Sequence, residues 1–243
     1  MARSITNRSI EAAGASSEAS TRSRSTRRLL ACGMVAGPLF IVVSIVQAFT
    51  RPGFDITRHA FSQLSLGDLG WIQIANFLLT GLLAIAWAVG IRQALHAGRA
   101  GTWGPLLIGA YGTGMFFAGI FRTDPAMGWP PGSPAGMPAS LSWHANLHSL
   151  FFFLAFIGLV ASCVVFARRF AGLGQTRWTA YCVATVVADP VLIVAGSTNL
   201  VPVGLAFAAL GTLTSAWIFF VALRLLSEQR GGRSDESRLA RAQ

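Results

Sequence analysis

The sequence lacks lysine entirely and is poor in charge: nine acidic residues, three cysteines and 12% charged positions in 243 residues. Soluble domains carry roughly twice that share of charge. Too little polar sequence is present to clothe a soluble surface around so much apolar material. Three cysteines form an odd count without a CxxC pair, which argues against a disulfide framework or a cysteine metal module. Cys32, Cys163 and Cys182 read as small apolar packing residues. No Walker loop is present, nor a GxGxxG cradle between a strand and a helix, so no nucleotide chemistry is indicated.

What the chain has instead is long apolar runs, with 53% hydrophobic residues. Six of them, roughly 29–50, 70–91, 103–121, 143–167, 178–196 and 203–226, are nearly free of charge. About 20 such residues cross a bilayer as a helix. The expected fold is all-α, a polytopic bundle of about six transmembrane helices. Residues 1–28, rich in Ser, Arg, Thr and Ala, are expected to be a disordered basic leader, and 227–243 a polar tail, flanking a membrane domain at 29–226. The run from Leu29 exceeds the usual length of a signal peptide's apolar region, so a retained signal anchor is favoured over cleavage near Val46-Gln47-Ala48.

All 19 basic residues are arginine, and 16 of them lie before the first span, at or beyond the end of the last, or in the connections after the second and fourth. Only Arg51, Arg58 and Arg122 lie on the opposite side. Positive charge stays cytoplasmic, so both termini are expected there, with the protein in the inner or plasma membrane. Membrane lipids are the expected partners. Nucleic acid is not, because the arginines flank spans instead of forming a groove interleaved with aromatics.

Ala110, Gly114 and Ala118 recur every four residues in the third span, which predicts a thin helix at the centre of the bundle. Pro38 and Pro190 predict kinks. They do not fall at equivalent places in two halves, which counts against a duplicated transporter.

The remaining polar residues gather on one side. The first outer loop supplies Asp55, His59, Ser62, Ser65 and Asp68, and the second supplies Asp124. Five of the ten prolines stiffen that second loop. Asp189 lies inside the fifth span, where an ionisable group is costly and usually faces a partner in the bundle interior. Arg122, Arg58 or a histidine are candidates, or the acid stays protonated.

The stretch SWHANLHSLFFF places His144 and His148 four apart at the start of the fourth span, on one helix face. Two imidazoles so placed can hold one Zn²⁺, with His59, Asp124 or Asp68 as third ligand and an open position for water. Such a water could hydrolyse an ester or amide at the membrane surface. His59, Asp124 and Asp189 are the candidate catalytic groups. The alternative is structural: Ser142 caps the helix, Trp143 anchors it at the interface, and a histidine bonds loop carbonyls.

The stretches FDITRHAFSQLSLGDLGWIQIANFLLTG, GTWGPLLIGAYGTGMFFAGIFRTDPAMGWPPG and SWHANLHS resemble the bacterial domain-of-unknown-function 998 membrane family, over about Leu29 to Leu226. The resemblance implies an integral membrane protein of about six spans and transfers no activity. A looser likeness is to the membrane hydrolase superfamily of alkaline ceramidases and adipose-receptor-like proteins, which set a Ser, an Asp and three His around zinc. Ser62, His59, Asp124, His144 and His148 would be the counterparts. That superfamily has about seven spans with its HxxxH in the last, whereas here the pair opens the fourth of six. Three functions therefore stand open. One is a binder of a metal or lipid-like ligand at the outer face, another an outward-facing zinc hydrolase, the third a small proton-coupled transporter using Asp189.

Overall fold

The structure, a computed structural model, describes residues 2–95 and 98–241, with side chains for 21–95, 98–229 and 231. Its six helices are α1 (Ala2–Thr50), α2 (Gly70–Ala94), α3 (Arg99–Ile120), α4 (Trp143–Gly172), α5 (Thr176–Ser197) and α6 (Val203–Arg241), with a short 3-10 helix at Phe61–Ser65. A backbone in lipid must satisfy its own polar groups, so apolar runs of this length fold as helices. Of the expected disordered leader and polar tail, the side chains before Thr21 and beyond Gly231 lie outside the described residues, as does His96.

Among the described residues five helical segments are long and apolar enough to cross a membrane: Thr21–Thr50, Gly70–Ala94, Trp143–Gly172, Thr176–Ser197 and Val203–Gln229. The sixth expected span, α3, has 22 residues, but glycine and threonine dilute its hydropathy. Its place follows from packing, because it lies between α2 and α4. Each helix packs on its neighbour in sequence, and α6 returns against α1 to close a ring. One end of the bundle carries the loops 51–69, 121–142 and 198–202, and is called the loop end. The terminal end carries the connection from α2 to α3 and the turn 173–175.

The small-residue stripe of α3 faces α4. A Cβ added at Gly114 would lie 2.6 Å from the Phe151 carbonyl and the Ala155 amide, and one at Gly158 would lie 3.3 Å from Ala110 Cβ. On its other side, Gly112 and Gly81 bring α3 and α2 so close that a Cβ on either would meet the other's carbonyl within 2.7 Å. Without a hydrophobic drive between helices in lipid, such approach supplies the dispersion contacts that hold them. Toward the terminal end, Trp87, Trp217, Phe166 and Phe170 are fully buried, with Trp217 5.8 Å from Phe166 and 6.3 Å from Trp87 between ring centres. α1 and α5 run through Pro38 and Pro190 as single helices.

Candidate functional site

At the loop end the two long loops are stitched into a cap. Arg51, the first residue after α1, is buried and donates to the carbonyls of Leu64 and Leu66. Its guanidinium sits 4.9 Å from the ring centre of Trp129, a cation–π arrangement. Burial lowers its pKa from the usual arginine value, and the Asp68 carboxylate opposes that shift. Trp129 Nε1 donates to Gln63 O at 2.9 Å, and Gln63 Nε2 donates to Ala126 O at 3.3 Å. Asp55 closes a tight turn, accepting from both the hydroxyl and the amide of Thr57, and those two bonds depress its pKa.

The histidines fall into separate roles. His59 is buried, and its Nδ1 accepts from the Asp55 amide at 2.9 Å. The proton therefore sits on Nε2, which donates to Met127 O at 3.1 Å. Both nitrogens are occupied in locking the two loops together. His148 Nδ1 lies 2.9 Å from Ala118 O and 2.8 Å from Phe121 O. Carbonyls only accept, so Nδ1 carries the proton and Nε2 the lone pair. His148 thus caps the end of α3, where helical carbonyls lack intrahelical donors. His144 lies against Trp143, 3.7 Å between ring centres, and its buried Nδ1 has no partner among the described residues.

Asp124 clamps the start of α4. Its two oxygens accept from the Ser142 amide at 2.7 Å and the Ser142 hydroxyl at 2.6 Å, while that hydroxyl accepts from Ala145 N at 3.1 Å. The expected N-cap is present, and Asp124 braces it. Among the described residues no group of three or more His, Cys, Asp or Glu could hold a metal ion. The geometric reason is plain: the ring nitrogens of His59 and the Nδ1 of His148 are bound to backbone, and both Asp124 oxygens to Ser142. The set proposed for zinc, His59, His144 and His148, does not converge.

What does converge on this end is a cavity of about 390 Å³. Arg58, Asp124 and Met127 stand at its loop side, and Tyr111, Leu159 and Thr214 reach deepest into the helices. Between them the wall is aromatic, including Phe61, Phe77, Phe152, Phe156 and Phe207. His148 lines it and His144 does not. Thr214 lies 11 residues into α6, so the cavity descends roughly 16 Å from the loop end at 1.5 Å per residue. Just behind it is Asp189, fully buried, with one oxygen 3.5 Å from the Thr214 hydroxyl and the other without a partner among the described residues.

A match to the family described as protein of unknown function, DUF998, spans residues 34–224, from within α1 to within α6. The chain belongs to the DUF998 family. The match takes in the cap, the cavity and Asp189, so the candidate site of this DUF998 protein lies wholly inside the family region. No curated protein and no solved structure matches it.

The DUF998 fold also holds a buried polar seam between α1 and α2 that the sequence reading did not single out. Gln47 Nε2 donates to Gln73 Oε1 at 2.7 Å, Gln73 Nε2 to Ser44 Oγ at 3.0 Å, and Asn76 Nδ2 to Phe40 O at 3.1 Å. The signal was there: Gln73, Asn76 and Thr80 fall at i, i+3 and i+7 of an apolar run, on one helix face. Interhelical bonds of this kind hold spans together. The cavity-lining Arg58, Tyr111 and Thr214 carried no comparable pattern.

Proposed function

We propose that this membrane protein binds a lipid-like, amphiphilic ligand in the loop-end cavity. The observation that carries the reading is the cavity itself: about 390 Å³, aromatic along its length, with charged groups at its loop side and hydroxyls at its floor. That size falls in the range of small-molecule sites, which pair apolar walls with a few polar groups that fix orientation. A single apolar chain fits along the phenylalanines, with its polar head beside Arg58. The Asp124 carboxylate already accepts two hydrogen bonds from Ser142, so Arg58, the one arginine among the lining residues, is the group at the mouth that donates to a ligand head.

We infer that both termini lie on the cytoplasmic side of the cell membrane. The support is the skew of the arginines, 16 of 19 at or beyond the terminal end. The cavity then opens outward.

The test is binding of a fluorescent polyene fatty acid to detergent-purified protein, wild type against Gly211→Leu. Gly211 lines the cavity, and a Cβ there meets Phe40 and Phe61 only at ordinary contact distance, 3.7 Å. The backbone tolerates the change while the longer side chain fills the space. At least a tenfold loss of affinity is expected. No saturable binding to wild type, or equal binding to the variant, would sink the reading.

A proton-coupled carrier is the second reading, favoured by one observation, the Asp189–Thr214 contact at the cavity floor. Uptake of the same fatty acid into proteoliposomes under a pH gradient, abolished in Asp189→Asn, is its expected sign. Against it stands the packing toward the terminal end, where Trp87, Trp217, Phe166 and Phe170 fill the bundle.

A further inference from the structure

The terminal end carries a second concavity, of about 980 Å³, between the start of α3 and the end of α4. Three arginines line its head: Arg99, Arg168 and Arg169. Arg169 is held by Glu228 at 2.7 Å, and Glu228 also pairs with Arg224. Arg99 and Arg168 are exposed and take part in no ion pair among the described residues. Below the arginines the lining turns apolar, with Leu107 and Val164 on its walls and the small side chain of Ala161 deepening it. Leu107 lies eight residues from Arg99 and Ala161 seven from Arg168, so the trough runs roughly 10–12 Å along the helices. Trp103, 56% exposed, stands on its rim at the level where tryptophans meet headgroups.

We propose that this trough is a site for one anionic phospholipid of the leaflet at the terminal end. Its phosphate lies between Arg99 and Arg168, and an acyl chain lies along Leu107, Ala161 and Val164. The charge decides for a lipid with net negative head over a zwitterionic one, because two unneutralised guanidinium groups face one phosphate. Arginine suits that role, since its planar fork matches phosphate oxygens in pairs. The apolar trough decides for a lipid over a free anion. The site is separate from the loop-end cavity and does not depend on what that cavity binds.

The experiment uses the full chain in detergent, with phosphatidylglycerol and phosphatidylcholine carrying brominated chains as quenchers. Trp103 emission, taken as the difference between wild type and Trp103→Phe, reads occupancy. Each arginine near a headgroup is worth roughly fivefold in affinity, so phosphatidylglycerol is expected to quench at roughly thirtyfold lower concentration than phosphatidylcholine. The preference is expected to vanish in the Arg99→Gln/Arg168→Gln variant and to persist largely in Arg99→Lys/Arg168→Lys. Both positions are exposed, so the variants retain the fold, which the melting temperature checks. Equal quenching by the two lipids overturns the proposal, as does a preference that survives the glutamine pair. Displacement of phosphatidylglycerol by inorganic phosphate alone overturns the lipid assignment and leaves a free-anion site.

Discussion

The two ends of this bundle solve opposite problems with the same few polar residues. At the loop end, Arg51, His59, Asp124 and His148 all point at backbone or at a capping serine, and hold irregular loops over an aromatic cavity. At the terminal end four fully buried aromatics fill the bundle, and the arginines stay at the surface, with Glu228 pairing Arg169 and Arg224. Polar side chains at the first end are spent on architecture, while at the second Arg99 and Arg168 stand exposed without an ion pair among the described residues. Titratable residues clustered in loops therefore mark, in this protein, where the backbone needed partners.

The comparison breaks most visibly at Trp129, which is 2% exposed and joins Arg51, Gln63 and Phe54. Trp129→Ala is expected to cost about 3–5 kcal/mol. Hydrogen exchange should show lost protection in 51–69 and 121–142 while α5 and the terminal half of α6 keep theirs. A uniform rise across all helices would mean the ends are not separate units. Next in size, His148→Ala is expected to cost about 1–3 kcal/mol, because two carbonyls at the end of α3 lose their donor. His144→Ala, which removes no hydrogen bond among those described, should leave the unfolding midpoint nearly unchanged. Equal loss in both, with bound zinc lost from both, would restore the metal pair.

Asp124→Ala removes the brace on the α4 cap and should cost about 1–2 kcal/mol in denaturant unfolding. Glu228→Gln at the terminal end sharpens the contrast, with an expected cost of only about 0–1 kcal/mol, since that pair is partly solvated. The smallest effect is at Asp55. Its folded pKa is depressed by the Thr57 bonds, so its contribution is present above the unfolded carboxylate value of about 3.9. That contribution is lost as pH falls through the lower folded value. Asp55→Asn and wild type should therefore differ in melting temperature at neutral pH and converge in acid. A gap that widens toward low pH would contradict the assigned bonds.

The helices were legible because each apolar run obeys one local rule, and the stripe Ala110–Gly114–Ala118 announced a close approach that α4 supplies. The Ser142 cap was legible for the same reason, being a contact within one turn. The direction of each histidine was not. His59 Nε2 and His148 Nδ1 find carbonyl partners 68 and 27 to 30 residues away, on other elements, and spacing along the chain carries no information about that. HxxxH put two rings on one face of α4, and what that face met was α3. The sixth span shows the converse: α3 is short of hydropathy by itself and is placed by the neighbours its glycines admit.

Sequence alone determined that this chain is an all-helical membrane protein, where its apolar helices run, and that three of its four histidines collect with Asp55, Asp68 and Asp124 at one end. Those properties follow from how each short stretch meets lipid or water, which is a local matter. Tertiary structure alone decided that α6 closes on α1, that the histidines and Asp124 serve the cap, and that a cavity runs from Arg58 to Thr214. Such features depend on which surfaces come within a few ångströms of each other, and dispersion and hydrogen bonding act only over that distance.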